Sequence, residues 1–114
     1  MNDVRVEDHT DEYKKAMAVA VNNALTKIGG LIEGEAKDEL ENSPRRVDTA
    51  RLKNSITNKV DGDVVYIGTN VEYAIYVHEG TRRMTPNRFL RNAVERNEDQ
   101  IVKIIENNIK DALK

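Results

Sequence analysis

The sequence predicts an α+β fold: a long N-terminal helix, a small antiparallel sheet built on a β-hairpin, a short covering helix and a long C-terminal helix. Three observations carry this. Apolar residues recur at steps of three or four towards both ends of the chain, the period of a helix buried along one face. Two short alternating runs near the middle are separated by Asp61-Gly62-Asp63, in which glycine supplies the positive φ of a tight hairpin turn. A short apolar stretch after the hairpin ends at Gly80, a residue type that commonly terminates helices.

Residues 1–9 are polar and unpatterned and predict a mobile arm, with residues 10–114 forming a single domain. Thr10 is a candidate N-cap, followed by Asp11 and Glu12, whose charges suit the positive end of the helix dipole. The stripe then runs through Tyr13, Met17, Val21, Ala24, Ile28, Ile32, Ala36 and Leu40. Unbroken to Leu40, this helix would be about 45 Å long. A compact domain of this size is only about 34 Å across. The helix must therefore protrude or bend, and a protruding end needs a neighbour to pack on. Gly29-Gly30 costs about 1 kcal/mol per glycine relative to alanine, so a kink or fray is expected there.

Asn42-Ser43-Pro44 stops the helix, and Arg45 to Val47 forms a linker. Asp48 or Thr49 can cap one or two turns of helix through Asn54. The strand runs are Ile56 to Val60 and Val64 to Thr69, with Val65 and Ile67 on one face and Val64, Tyr66 and Gly68 on the other. A two-stranded hairpin is marginal alone, so helices or further strands must cover it. Glu72 to Glu79 predicts a short helix whose face of Tyr73, Ala74, Tyr76 and Val77 lies over the sheet. Thr81 to Thr85 fits an edge strand or an extended loop. The last helix starts at Pro86 or Asn87 and carries Leu90, Ala93, Val94, Ile101, Ile104, Ile105, Ile109 and Leu113, a stripe interrupted by Asn97 and Asn108.

Composition narrows the function classes. The chain has no cysteine, which removes disulfides, thiol catalysis and cysteine-ligated zinc together, and only His9 and His78 supply imidazole. A net charge of -2 gives no strong global field for nucleic acid or an anionic membrane. No apolar run approaches the roughly 20 residues that span a bilayer, and the acidic start MNDVRVEDHTDE lacks the features of a signal peptide, so no membrane partner and no export are expected.

Chemistry is equally sparse. His78-Glu79 would need a second histidine four residues on for a zinc-protease pair, and that position is Arg82. Ser43 and Ser55 lie in no nucleophile elbow, and helix capping accounts for both. The carboxylates Glu33, Glu35 and Asp38 to Glu41 are mixed with Lys37 on what reads as a solvated helix face. Gly29-Gly30 and Gly68-Thr69-Asn70 lack the lysine and hydroxyl spacing of a phosphate loop. A non-enzymatic protein with no metal or cofactor is expected.

What folding leaves unexplained is a concentration of arginine: Arg82, Arg83, Arg88 and Arg91, with Arg45 and Arg46 in the other linker. Their planar forks suit pairing with acidic surfaces of neighbouring subunits. The candidate interface is therefore Arg82, Arg83, Met84, Arg88, Arg45 and Arg46, with Met84 as an adaptable apolar contact. The alternative is a nucleic-acid-binding accessory protein using Arg82, Arg83, Arg88 and Arg91, without sequence-specific contacts. The stacking aromatics of single-strand binders are absent apart from Phe89.

Val47, Asp48, Thr49, Leu52, Ser55 and Ile56, then Ile67 to Asn70, Tyr73, Ala74, Val77, Gly80 and Thr81, then Phe89, Leu90 and Ala93 form three phrases in a fixed order. This order resembles a family of small head-tail joining, neck and tail-completion proteins of long-tailed bacteriophages and prophages. There the phrases take the form P-V-D-T-G-x-L-x-x-S-I, I-G-T-N-x-x-Y-A-x-x-V-E-x-G-T and P-F-L-x-x-A. Departures are Ala50 for glycine, the inserted Arg45-Arg46, His78 before Glu79, and Asn87-Arg88 between Pro86 and Phe89. The resemblance implies a non-enzymatic structural protein, made in the host bacterial cytoplasm and placed in the virion neck or tail. Its partners would be other neck or tail proteins, in or on a ring around the DNA channel, with the isolated subunit a candidate monomer. A tail-tube terminator is the nearest variant of that role.

Overall fold

The computed structural model describes residues 10–41, 49–82 and 85–113. Its elements are α1 (Thr10–Glu41), α2 (Thr49–Ser55), β1 (Thr57–Asp61), β2 (Val64–Gly68), α3 (Ala74–Glu79), α4 (Phe89–Arg96) and α5 (Glu98–Ala112). The class is α+β, as the periodicities predict. The expected arm at residues 1–9, the linker at 45–47 and a cap by Asp48 fall outside the described residues.

α1 is a single helix through Gly29-Gly30, where a kink or fray is expected. Gly29 is buried because the hairpin crosses it: a Cβ there would stand 2.5 Å from Asn58 Oδ1 and 3.1 Å from Val65 Cγ2. Burial of Ile28 and Ile32 on the same helix offsets the poor propensity of the glycines. At 32 residues α1 is about 48 Å long, and its buried positions start only at Ala20. Tyr13, expected on the buried stripe, is exposed. α5 ends with Ala112 beside Lys15 and Ala16, so Tyr13 projects past it.

The core joins Ile28, Ile32, Ala36 and Leu40 of α1 to Leu52 of α2, Ile56, Val71, Ala74 and Val77 of α3, and Phe89 and Ala93 of α4. β1 and β2 pair antiparallel, from Thr57 opposite Gly68 to Asp61 opposite Val64. The connecting turn has Gly62 at φ 62°, and no described residue other than glycine takes a positive φ. Glycine at the first central position is the signature of a type II′ turn. Val65 and Ile67 pack inward, and Val64 and Tyr66 face outward, as the alternation predicts. α1 lies across this sheet, and α3 closes the core beside it.

Three boundaries differ from expectation, each for a local reason. α3 starts at Ala74 rather than Glu72, because Thr69 Oγ1 accepts the Val71 N–H (3.0 Å) and the Ala74 N–H donates to the Val71 carbonyl (3.1 Å), making a turn. α4 starts at Phe89 rather than Pro86 or Asn87, because the Asn87 carbonyl accepts the Phe89 N–H at 2.8 Å and the first helical bond runs from the Asn92 N–H to the Arg88 carbonyl at 2.7 Å. The long C-terminal helix is divided at Asn97 (φ -117°, ψ 18°), whose Nδ2 donates to the Ala93 carbonyl at 2.7 Å. Such side-chain bonds compete with the helical ladder. Asn108 makes the same bond to Ile104 yet stays helical.

Candidate subunit interface

α3 ends in a conformation that selects its residue type. Gly80 sits at φ 78°, ψ 174°, a region essentially restricted to glycine, and its N–H donates to the Tyr76 carbonyl at 2.8 Å. Seven residues later the Asn87 N–H returns to the neighbouring Val77 carbonyl. The chain is thus held to the last turn of one short helix at Gly80 and again at Asn87, by one main-chain hydrogen bond at each point.

Arg82 is exposed on this loop and has no ion-pair partner among the described residues. Arg88, on the returning leg, is exposed and 3.8 Å from Glu79 Oε2. Arg83, Met84, Arg45 and Arg46 lie outside the described residues. Arg91 is engaged by Glu95 one helical turn on, at 2.8 Å, a hydrogen bond that raises its pKa. Arg96 pairs with Glu39 of α1, fastening α4 to the core. The cations are therefore unequal: Arg96 ties α4 to α1, Arg91 pairs within α4, Arg88 pairs with Glu79, and of these four only Arg82 has no ion-pair partner among the described residues.

His78 joins this region to the core. Its Nδ1 is 2.7 Å from Glu79 Oε1, and its ring meets the Phe89 ring edge-on, with centroids 5.3 Å apart and planes at 77°. That hydrogen bond, aided by the positive charges of His78, Arg88 and Arg91, holds the Glu79 carboxyl below its ordinary pKa. A depressed folded-state pKa means the contribution is fully present above the ordinary carboxylate range and is lost as pH falls through the lowered value. The melting temperatures of the wild type and Glu79→Gln should therefore differ by a constant amount near neutrality and converge in acid. A difference that widened in acid would refute this coupling.

Sequence reasoning missed two residues. Ile75 and Tyr76 are 63% and 58% exposed on the outer side of α3, although Tyr76 is expected on its buried face. Four consecutive apolar residues, Ala74 to Val77, sweep about 300° of a helix, so one core cannot hold all four. The packing takes the i, i+3 pair Ala74 and Val77 and leaves the middle two outside. A cavity of about 230 Å³ opens beside Ile75, between Ala74 of α3 and Phe89 and Leu90 of α4.

The polar letters of the three sequence phrases have a structural use. Ser55 Oγ donates to the Leu52 carbonyl at 2.6 Å and lies 2.5 Å from Thr69 Oγ1, which also accepts the Val71 N–H. One consistent assignment has Thr69 donating to Ser55, so the end of α2 is tied to the end of β2. Lys53 pairs with Glu41 at 3.1 Å, and Arg51 stacks over the Tyr73 ring at 5.7 Å. Among the described residues no three His, Asp or Glu side chains converge as a metal site, and no helix is long and apolar enough to cross a membrane.

The family model described as "Bacteriophage HK97-gp10, putative tail-component" matches residues 5–80. No curated protein and no solved structure matches. The matched span contains α1, the hairpin, the Ser55–Thr69 link and α3, and it closes at Gly80, where the arginine loop starts.

Proposed function

Because the chain belongs to the Bacteriophage HK97-gp10 tail-component family, we propose that it is a non-enzymatic structural protein of head-tail joining or tail completion, added in or on a ring around the DNA channel. It acts by contact with other neck or tail proteins. The observation that carries this reading is the pair of main-chain hydrogen bonds that hold Gly80 and Asn87 to α3, with exposed Arg82 and Arg88 next to these two points in sequence and exposed Ile75 and Tyr76 on the same short helix. Tyrosine and arginine dominate the energetics of protein interfaces, and among the described residues Arg82 makes no ion pair while Ile75 and Tyr76 are left outside the core. A head-to-tail contact uses two different patches per subunit, and α1 supplies the second.

Charge reversal of Arg82 and Arg88 to glutamate together should leave the circular dichroism spectrum unchanged and cut incorporation into particles at least about tenfold, the effect of roughly 1.4 kcal/mol at one contact. Normal incorporation would remove the loop from the interface. Steep, salt-dependent retention on DNA that the same substitutions abolish would instead make the loop a phosphate contact.

A further inference from the structure

The hairpin packs chiefly on α1, and this leaves the outer edge of β1 open. Its turn stands beside Met17 and Val21, and Asn58 Nδ2 donates to Glu33 Oε1 at 3.4 Å, so the hairpin runs along α1 with β1 on the Glu33 side. Asn22 and Thr26 share that side of α1 with Glu33, and both are exposed. Across the turn at Gly62-Asp63, Asp61 and Val64 form a hydrogen-bonded pair, and so do Lys59 and Tyr66 two steps on. The N–H and C=O groups of Asn58 and Val60 therefore point away from β2. Neither residue makes a main-chain hydrogen bond to another described element. Two strands alone are marginal as a sheet, and an open edge is a template for a further strand.

The charges on that edge indicate which strand it takes. Lys59 and Asp61 alternate with Asn58 and Val60 on the exposed face of β1, and neither makes an ion pair among the described residues. A lone lysine guards an edge, because a second copy centred on it sets lysine against lysine. Lys59-Val60-Asp61 instead meets its own complement when two copies run antiparallel about Val60. Val60 then exchanges both main-chain hydrogen bonds with Val60 of the second copy, and Lys59 of each copy stands directly opposite Asp61 of the other. We propose that β1 pairs in this register with β1 of a second copy of this chain, making a four-stranded antiparallel sheet. Two strand spacings, about 9.5 Å, then separate the two α1 helices, which is within the distance at which helices pack. The small side chains of Asn22 and Thr26 face that gap. An edge of five residues makes the pairing weak and reversible. It is a two-fold contact, distinct from the head-to-tail contact of a ring, and does not rest on the assembly reading.

Sedimentation of the full chain over a concentration series should show reversible self-association. Lys59→Glu and Asp61→Lys should each weaken it about tenfold, because each sets like charges opposite one another twice across the two-fold. The charge-swapped chain, Lys59→Asp with Asp61→Lys, should recover wild-type association. Both side chains are exposed, so helix content should be unchanged in all three. Since the chain has no cysteine, Lys59→Cys and Asp61→Cys supply a second measurement. Their mixture should form a disulfide-linked pair in preference to either variant alone, since positions directly opposite at a non-hydrogen-bonded pair are about 4.5 Å apart. A chain that stays monomeric at every concentration, reversals without effect, a swap that fails to recover, or linkage equally good within one variant would each overturn the pairing. Preferential linkage of Lys59→Cys to Tyr66→Cys would overturn it too, by joining β1 to β2 of the next copy. Those outcomes leave the assembly reading standing, because incorporation of the Arg82 and Arg88 variant tests that separately.

Discussion

Phe89→Ala should destabilise the protein by about 3–5 kcal/mol, the range for truncating a fully enclosed phenylalanine. Phe89 is wholly buried, and it opens α4 at the point where α3, α4 and α1 converge. Its ring also supports the edge of His78, so truncation opens a cavity and releases the group that hydrogen-bonds Glu79. A small domain has only about 5–15 kcal/mol in total, so the variant should be partly unfolded at moderate temperature. Urea unfolding measures this as a fall in midpoint at unchanged slope. Val94→Ala, on the exposed side of the same helix, should change stability by about 0.5 kcal/mol or less. A Phe89→Ala loss as small as that of Val94→Ala would mean that this corner is not packed as described.

The residues that build this corner differ in how legible they are in the sequence. Ile28, Ile32, Ala36 and Leu40 are read correctly as core because a one-sided burial imposes a period that the sequence displays directly. The hairpin is legible for the same reason: Asp-Gly fixes the turn, and alternation assigns Val65 and Ile67 inward. Features set by long-range contacts leave no such trace. The return of the chain to α3, where the Asn87 N–H reaches the Val77 carbonyl, is encoded by no local pattern. Tyr76 is misassigned because a six-residue helix is too short for periodicity to choose among four apolar neighbours.

Similar limits apply to the surfaces. An excess of arginine over what folding needs is visible in the sequence, and it leads to Arg82 and Arg88. The pairing of Arg91 with Glu95, four residues on along one helix, is open to the same reading, whereas that of Arg96 with Glu39 requires knowing that α4 meets α1. Likewise the stripe of α5 announces an amphipathic helix, but a period cannot say whether the stripe finds a partner within its own chain. Here Ile101 and Ile104 pack against the core, while Ile105 and Leu113 stay exposed. Amphipathicity beyond what one chain buries therefore becomes visible as exposed apolar surface only once the fold is known.

The two adjacent glycines of α1, indistinguishable in the sequence, should respond oppositely to the same substitution. Gly30 is exposed with nothing within 4 Å of an added Cβ, so Gly30→Ala should stabilise by about 1 kcal/mol through helix propensity alone. Gly29→Ala gains the same term but drives a methyl group against Asn58 and Val65. Asn58 would have to turn away, giving up its 3.4 Å hydrogen bond to Glu33, and the Val65 methyl would have to yield by a few tenths of an ångström. Overpacking of this kind costs about 1–3 kcal/mol, so the net effect should be a loss of about 1 kcal/mol. Asn58→Ala removes most of the clash, and in that background Gly29→Ala should lose its penalty, a non-additivity that marks direct contact. Thermal denaturation of the four variants decides the matter. Equal shifts of the same sign for the two glycines would show that the hairpin does not cross α1 at Gly29.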